Sequence, residues 1–175
     1  QLVNFGWPWR EGNANFTTCT GTAPTNMTPP IVDVVRAQNW ISIMGGPRYR
    51  NRSGQYDFGP SYEGNAFYSD YYAGQIRMMT RSGGAWVTAP AVAGQPNATD
   101  WGTGFAGLVS YDVGPDGAIY MCQHAGAGTQ TGGTFKRLRP LGPVNQVVAV
   151  SGGSQQGAAT EPFAQPIVVQ VNDPQ

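Results

Sequence analysis

Charge is scarce in this chain. Asp, Glu, Lys and Arg together make up 11% of its 175 residues, against about a quarter in ordinary globular domains. There is one lysine, Lys136, and one histidine, His124. Ten cations balance ten anions, so no basic surface invites nucleic acid. No apolar run approaches the ~20 residues that a membrane-spanning helix needs. Helical periodicity is also missing. The best segment, Pro30 to Trp40, has apolar residues at 31, 32, 34 and 35 and then a gap, which fits a strand or a single turn as well as a helix. The two cysteines, Cys19 and Cys122, match no metal-ligand spacing, and no metal set is expected. They could form one disulfide in an oxidising compartment, or remain two buried thiols.

Turn formers and aromatics are plentiful instead. The chain has 25 Gly, 14 Pro, five Trp and eight Tyr, an aromatic load too high for a disordered segment. Short β-prone runs alternate with Gly, Pro, Asn and Asp: Trp40 to Met44, Asn65 to Tyr68, Gly74 to Met79, Ala85 to Val87, Ala118 to Cys122 and Thr134 to Leu138. Two pairs read as hairpins. One joins Gly74–Met79 to Ala85–Val87 through Thr80–Gly84. The other turns at Pro115-Asp116-Gly117, where proline presets φ, aspartate caps and glycine accepts a positive φ. This rhythm predicts an all-β fold, a propeller, sandwich or barrel. Composition shifts after Arg139-Pro-Leu-Gly-Pro143, which places a module boundary near Pro143, with residues 1–143 on one side and 144–175 on the other.

Few residues offer chemistry. His124 has no positioned partner in the sequence and reads as a polar loop residue. No P-loop, nucleotide fingerprint, Ser-His-Asp series or carboxylate pair is present, so no residue is nominated as catalytic. Arg48 and Arg50, two apart, fall on one face of an extended segment. They could face a pocket or pair with Asp57, Glu63 or Asp70. Tyr68, Tyr71 and Tyr72 could stack on sugars or fill gaps between sheets. Sequons at Asn15, Asn26, Asn51 and Asn97 point to a secreted, glycosylated surface in an extracellular or periplasmic setting. The chain starts at Gln1 with neither an initiator methionine nor a signal sequence, which processing or truncation would explain.

Four segments in order resemble the C-terminal part of the glucose/sorbosone dehydrogenase family: Asn4-Phe-Gly-Trp-Pro8 with Glu11-Gly12, Gly45-Gly-Pro-Arg-Tyr-Arg50, Gly64 to Ile76, and Asp112-Val-Gly-Pro-Asp-Gly-Ala-Ile-Tyr120. That family forms six-bladed propellers, and many members oxidise aldoses with pyrroloquinoline quinone (PQQ) and calcium. The resemblance implies that residues 1–143 supply a partial β-propeller of ~three blades. It also implies that Trp7 sits at a cofactor's edge, against the plainer reading of a core tryptophan packed under a blade turn, and that Arg48 and Arg50 could face the central pocket. Active relatives carry an Arg-x-Arg pair where this chain has Val109-Ser-Tyr111, and their general base lies in an N-terminal half. The tail from Val147 to Gln175, with Gln165-Pro-Ile-Val-Val-Gln-Val-Asn-Asp173, is similar to the opening strands of bacterial Ig-like domains.

The expectation is therefore a non-catalytic extracellular module on a dehydrogenase-like propeller, with an Ig-like tail strand that lacks a sheet of its own. It would assemble with other copies of itself or with the remainder of a propeller, possibilities that include donation of the tail strand. No cofactor is expected in the chain itself. The alternative is a fragment of a PQQ-dependent aldose dehydrogenase whose catalytic half lies elsewhere, with PQQ and calcium as its cofactors.

Overall fold

The computed structural model describes residues 3–16, 18–126, 131–141, 146–151, 166 and 168–172. The fold is all-β, and its helical content among these residues is two short 3-10 turns, Arg36–Gln38 and Pro60–Tyr62. The chain divides into two units, Gln1–Leu138 and Arg139–Gln175. Pro143 lies outside the described residues.

The first unit opens with an arm. Two strands of two residues, β1 (Arg10–Glu11) and β2 (Ala14–Asn15), pair antiparallel, and a lone bridge joins Asn4 to Met27. An antiparallel meander follows: β3 (Ile43–Arg48), β4 (Ala66–Asp70), β5 (Ile76–Ser82) and β6 (Ala85–Thr88), paired in chain order. A second meander contains β7 (Leu108–Val113), β8 (Ile119–His124) and β9 (Gly133–Leu138). The described strands form open sheets and no closed barrel.

Both expected hairpins form, and the first turn is tighter than the sequence suggests. β5 and β6 continue to Ser82 and Ala85, leaving only Gly83 and Gly84 in the loop, both at positive φ (57° and 84°). A two-residue loop with two positive φ values matches the right-handed twist of the flanking strands. The run expected at Trp40 to Met44 is displaced, because β3 extends through Gly45, Gly46 and Pro47. Those residues look like strand breakers, yet the ladder bulges between Gly45 and Arg48, where a proline does no harm. Gly46 is required there. A Cβ at this position would lie 2.2 Å from the Tyr111 hydroxyl, because β3 packs alongside β7.

Alternation along β8, a bulge between Leu108 and Ser110 in β7 and burial of successive residues in β4 bring the core side chains together. Phe67 of β4, Ile76 of β5, Leu108 and Tyr111 of β7, and Ile119 and Met121 of β8 are buried together with Tyr49 and Trp101. Full burial of each large apolar side chain contributes about 1.5–3 kcal/mol.

Asp70 ties the first meander to what precedes it. Its carboxylate is fully buried and accepts four backbone N–H groups: Ile41 (2.5 Å) and Ser42 (2.7 Å) on one oxygen, Tyr72 (2.9 Å) and Ala73 (2.8 Å) on the other. These bonds let a charged group remain without water.

In the second unit, β10 (Gln146–Ser151) pairs antiparallel with β11 (Val168–Asn172), with a bulge between Ala149 and Ser151. This corrects the expectation that the tail strand lacks a sheet in this chain. β10 carries the β-branched Val147, Val148 and Val150 in its sequence, and as an antiparallel neighbour it satisfies one edge of β11.

Candidate functional site

The segment from β3 to the turn at Pro60–Tyr62 places Arg48 and Arg50 on the surface with the fully buried Tyr49 between them. Tyr49 is the anchor. Its hydroxyl donates to Asp57 Oδ1 (3.0 Å) or to the Gly117 carbonyl (2.9 Å), and accepts from the Phe58 N–H (2.8 Å). Burial raises the Tyr49 pKa, and the neighbouring Asp57 carboxylate adds to the effect. Asp57 also accepts from the Arg52 and Gly54 N–H groups at 3.0 and 2.7 Å. Burial acts to raise its pKa, but these bonds, with those from Tyr49 and Ser53, together hold it below the ordinary value. The loop 51–58 is thus fixed to the turn at Pro115-Asp116-Gly117.

The two arginines have different partners. Arg50 pairs with Glu63 at 2.8 Å, the plainer of the two roles read from the sequence. The Asn51 N–H and Arg50 hold the Glu63 pKa below its usual value, and the charge of Arg48 contributes. Arg48 donates from Nε to the Gly64 carbonyl at 3.0 Å and stands over the Trp86 ring at 5.7 Å. Arg81 stands over the same ring at 4.7 Å. Neither Trp86 nor Arg81 stands out in the sequence. The signal was the Gly83-Gly84 turn, which sets Arg81 directly opposite Trp86. Cross-strand neighbours share a face.

A third arginine lies on that sheet. Arg77 is 4.8 Å from the Trp40 ring and 3.2 Å from Asp100, with both charged groups largely buried. Trp40 in turn packs on Tyr68 at 5.2 Å.

Trp7 is not part of these groups. It is 68% exposed and packs at 5.6 Å on Phe16 in the arm. Nearby, Phe5, Thr28, Pro29, Pro30 and Ile31 line an open, apolar cavity of about 480 Å3 with Gly12. Tyr71 and Tyr72 meet edge to face at 5.0 Å, and Tyr71 hydrogen-bonds His124 Nδ1 at 2.9 Å. His124 therefore has a partner that sequence reading did not find, brought to it through Gly107, whose N–H donates to the Tyr71 carbonyl (2.7 Å) and whose carbonyl accepts from the His124 N–H (2.8 Å).

The cysteines are not bonded to each other, so the disulfide reading is not realised. Cys19 donates to the Pro8 carbonyl (3.1 Å) in the arm, whereas Cys122 is exposed on β8 opposite Phe135. Nor are they two buried thiols. Asn15, Asn26, Asn51 and Asn97 are all exposed. Asn51 and Asn97 cap their own turns, accepting from Ser53 N–H at 2.8 Å and Thr99 N–H at 2.9 Å. Thr17, the third residue of the first sequon, lies outside the described residues.

Among the described residues, no three His, Cys, Asp or Glu side chains converge as metal ligands, and no helix is long and apolar enough to cross a membrane. At the position of the Arg-x-Arg pair of the resembled family stand the exposed neutral side chains of Val109 and Ser110 and the buried phenol of Tyr111, none of which offers a positive charge to a carboxylate. The chain matches no known family profile, no curated protein and no solved structure.

Proposed function

We propose that this chain is a non-catalytic structural or interaction module that assembles with other copies of itself outside the cytoplasm, built on propeller-like blades. One observation carries the reading. The arm leaves Val3, Phe5, Trp7, Ile31 and Val35 each more than half exposed, at 56, 68, 68, 64 and 52%. Large apolar side chains left in water on one segment mark an interaction surface. The blade reading draws on the two successive meanders and on the packing of their first strands, β3 and β7, side by side, the arrangement of neighbouring blades about an axis.

The test is the native mass of the whole chain by light scattering, for the native protein and for Phe5→Ser/Ile31→Ser. An oligomer that the double variant reduces to a folded monomer supports the proposal. A native protein that is monomeric at micromolar concentration overturns it.

A further inference from the structure

The arginines that stack on rings fall into two kinds. Arg77 lies over Trp40 and Arg137 lies 4.6 Å over Tyr56. Each also has a carboxylate, Asp100 at 3.2 Å and Asp116 at 4.0 Å respectively. Arg48 and Arg81 share a single ring, that of Trp86, at 5.7 and 4.7 Å. Neither forms an ion pair among the described residues. Glu63, whose carboxylate feels the charge of Arg48, commits one oxygen to Arg50 and the other to the Asn51 N–H.

Sheet register explains the convergence. Arg48, Ala66, Met79 and Thr88 form one row across β3, β4, β5 and β6. Arg81 and Trp86 are each two residues along from that row, hence on the same face. Both guanidiniums are oriented by one backbone carbonyl: Arg48 Nε by Gly64 (3.0 Å) and Arg81 Nη1 by Gly84 (2.5 Å). Their other N–H groups make no hydrogen bond among the described residues. Two like charges drawn to one indole repel each other, and the planar fork of each presents donors at the spacing of an oxyanion's oxygens. Arg77 and Arg137 already have their anion.

We infer that Arg48, Arg81 and Trp86 form a binding site for an oxyanion, a carboxylate or sulfate group taken as the free ion or as the repeating group of an acidic glycan. The indole holds both cations in place by cation–π attraction. The anion supplies the missing charge. This inference is independent of the assembly reading, because it concerns the meander and not the arm.

The experiment is an NMR titration of the whole 15N-labelled chain with sodium sulfate, galacturonic acid and galacturonate oligomers, at ionic strength held constant with NaCl. Saturable shifts are expected at the Arg48 and Arg81 Nε–H and the Trp86 indole N–H. Arg81→Gln should weaken binding at least ten-fold, and Arg81→Lys, which retains the charge but not the fork, several-fold. Arg36→Gln, an exposed arginine on the 3-10 turn, should leave binding unchanged. An oligomer that binds ten-fold tighter than the monomer identifies the glycan as the source, whereas equal affinities identify the free ion. Absence of a saturable shift with all three probes overturns the inference, as does unchanged affinity in folded Arg81→Gln and Arg81→Lys.

Discussion

The arm before Trp40 and the meanders after it have similar access to apolar residues and use them in opposite ways. Every large side chain of the buried core lies at Trp40 or beyond. The arm leaves Phe5, Trp7, Phe16, Ile31 and Val35 exposed. The difference is pairing. From β3 onward each strand has a neighbour that satisfies its backbone and aligns its alternate side chains, so one face of each sheet can be removed from water. Among its described residues the arm has only a two-residue ladder and a lone bridge, which is too little to build a face.

Four perturbations break or sharpen that contrast. The largest effect is expected from Asp70→Ala, which leaves four N–H groups without their acceptor. It should lower stability by about 3–5 kcal/mol in urea denaturation. A loss under 1 kcal/mol would mean that the carboxylate does not tie the meander to Ile41 and Ser42.

Next comes Tyr111. Burial pushes its phenol up to about 12, and the neighbouring Ser69 hydroxyl offsets only part of this. Neither hydroxyl makes a hydrogen bond of good geometry. The raised folded value means that the unfolded chain loses this proton first. The contribution of Tyr111 is fully present below pH ~10 and is lost as pH rises to about 12, about 2–3 kcal/mol in all. Tyr111→Phe should remove this alkaline loss in denaturation curves from pH 9 to 12, and at neutral pH should be neutral or stabilising. An unaltered alkaline slope would count against the assignment.

Gly46→Ala is expected to cost about 1–3 kcal/mol, because its methyl group would strike the Tyr111 ring that β7 lays over β3. Thermal unfolding reads this directly, and an unchanged melting temperature would mean that the two strands can separate freely. The smallest stability effect belongs to the arm. Phe5→Ser/Ile31→Ser should change the unfolding free energy of the monomer by less than about 0.5 kcal/mol, because neither side chain is buried. A larger loss would show that the arm belongs to the core.

The sequence was most readable where a local rule operates. Pro115-Asp116-Gly117 announces its turn, and Ala118 to Cys122 announces the strand that follows it. Gly83-Gly84 marks a hairpin, although its strands run closer to the turn than their composition suggests. Reading was poorest where a long-range contact overrides local preference. Gly45-Gly46-Pro47 looks like a break, but Tyr111, more than sixty residues away, makes it a strand by filling the space over Gly46. The site was half readable. Arg48 and Arg50 could be placed on one face, and Glu63 was named among their partners. Trp86 was not, because its relation to Arg48 runs across four strands.

By itself the sequence determined that this chain is all-β, since side-chain alternation and turn chemistry act over a few residues and need no partner. It also set the low charge and the supply of aromatic rings. Only the tertiary structure decided which arginines acquired a carboxylate, that β11 pairs with β10, that the cysteines remain apart, and that the arm's apolar residues stay in water. Each of these outcomes depends on which distant segment arrives at the other side of a strand, and register and packing choose that partner.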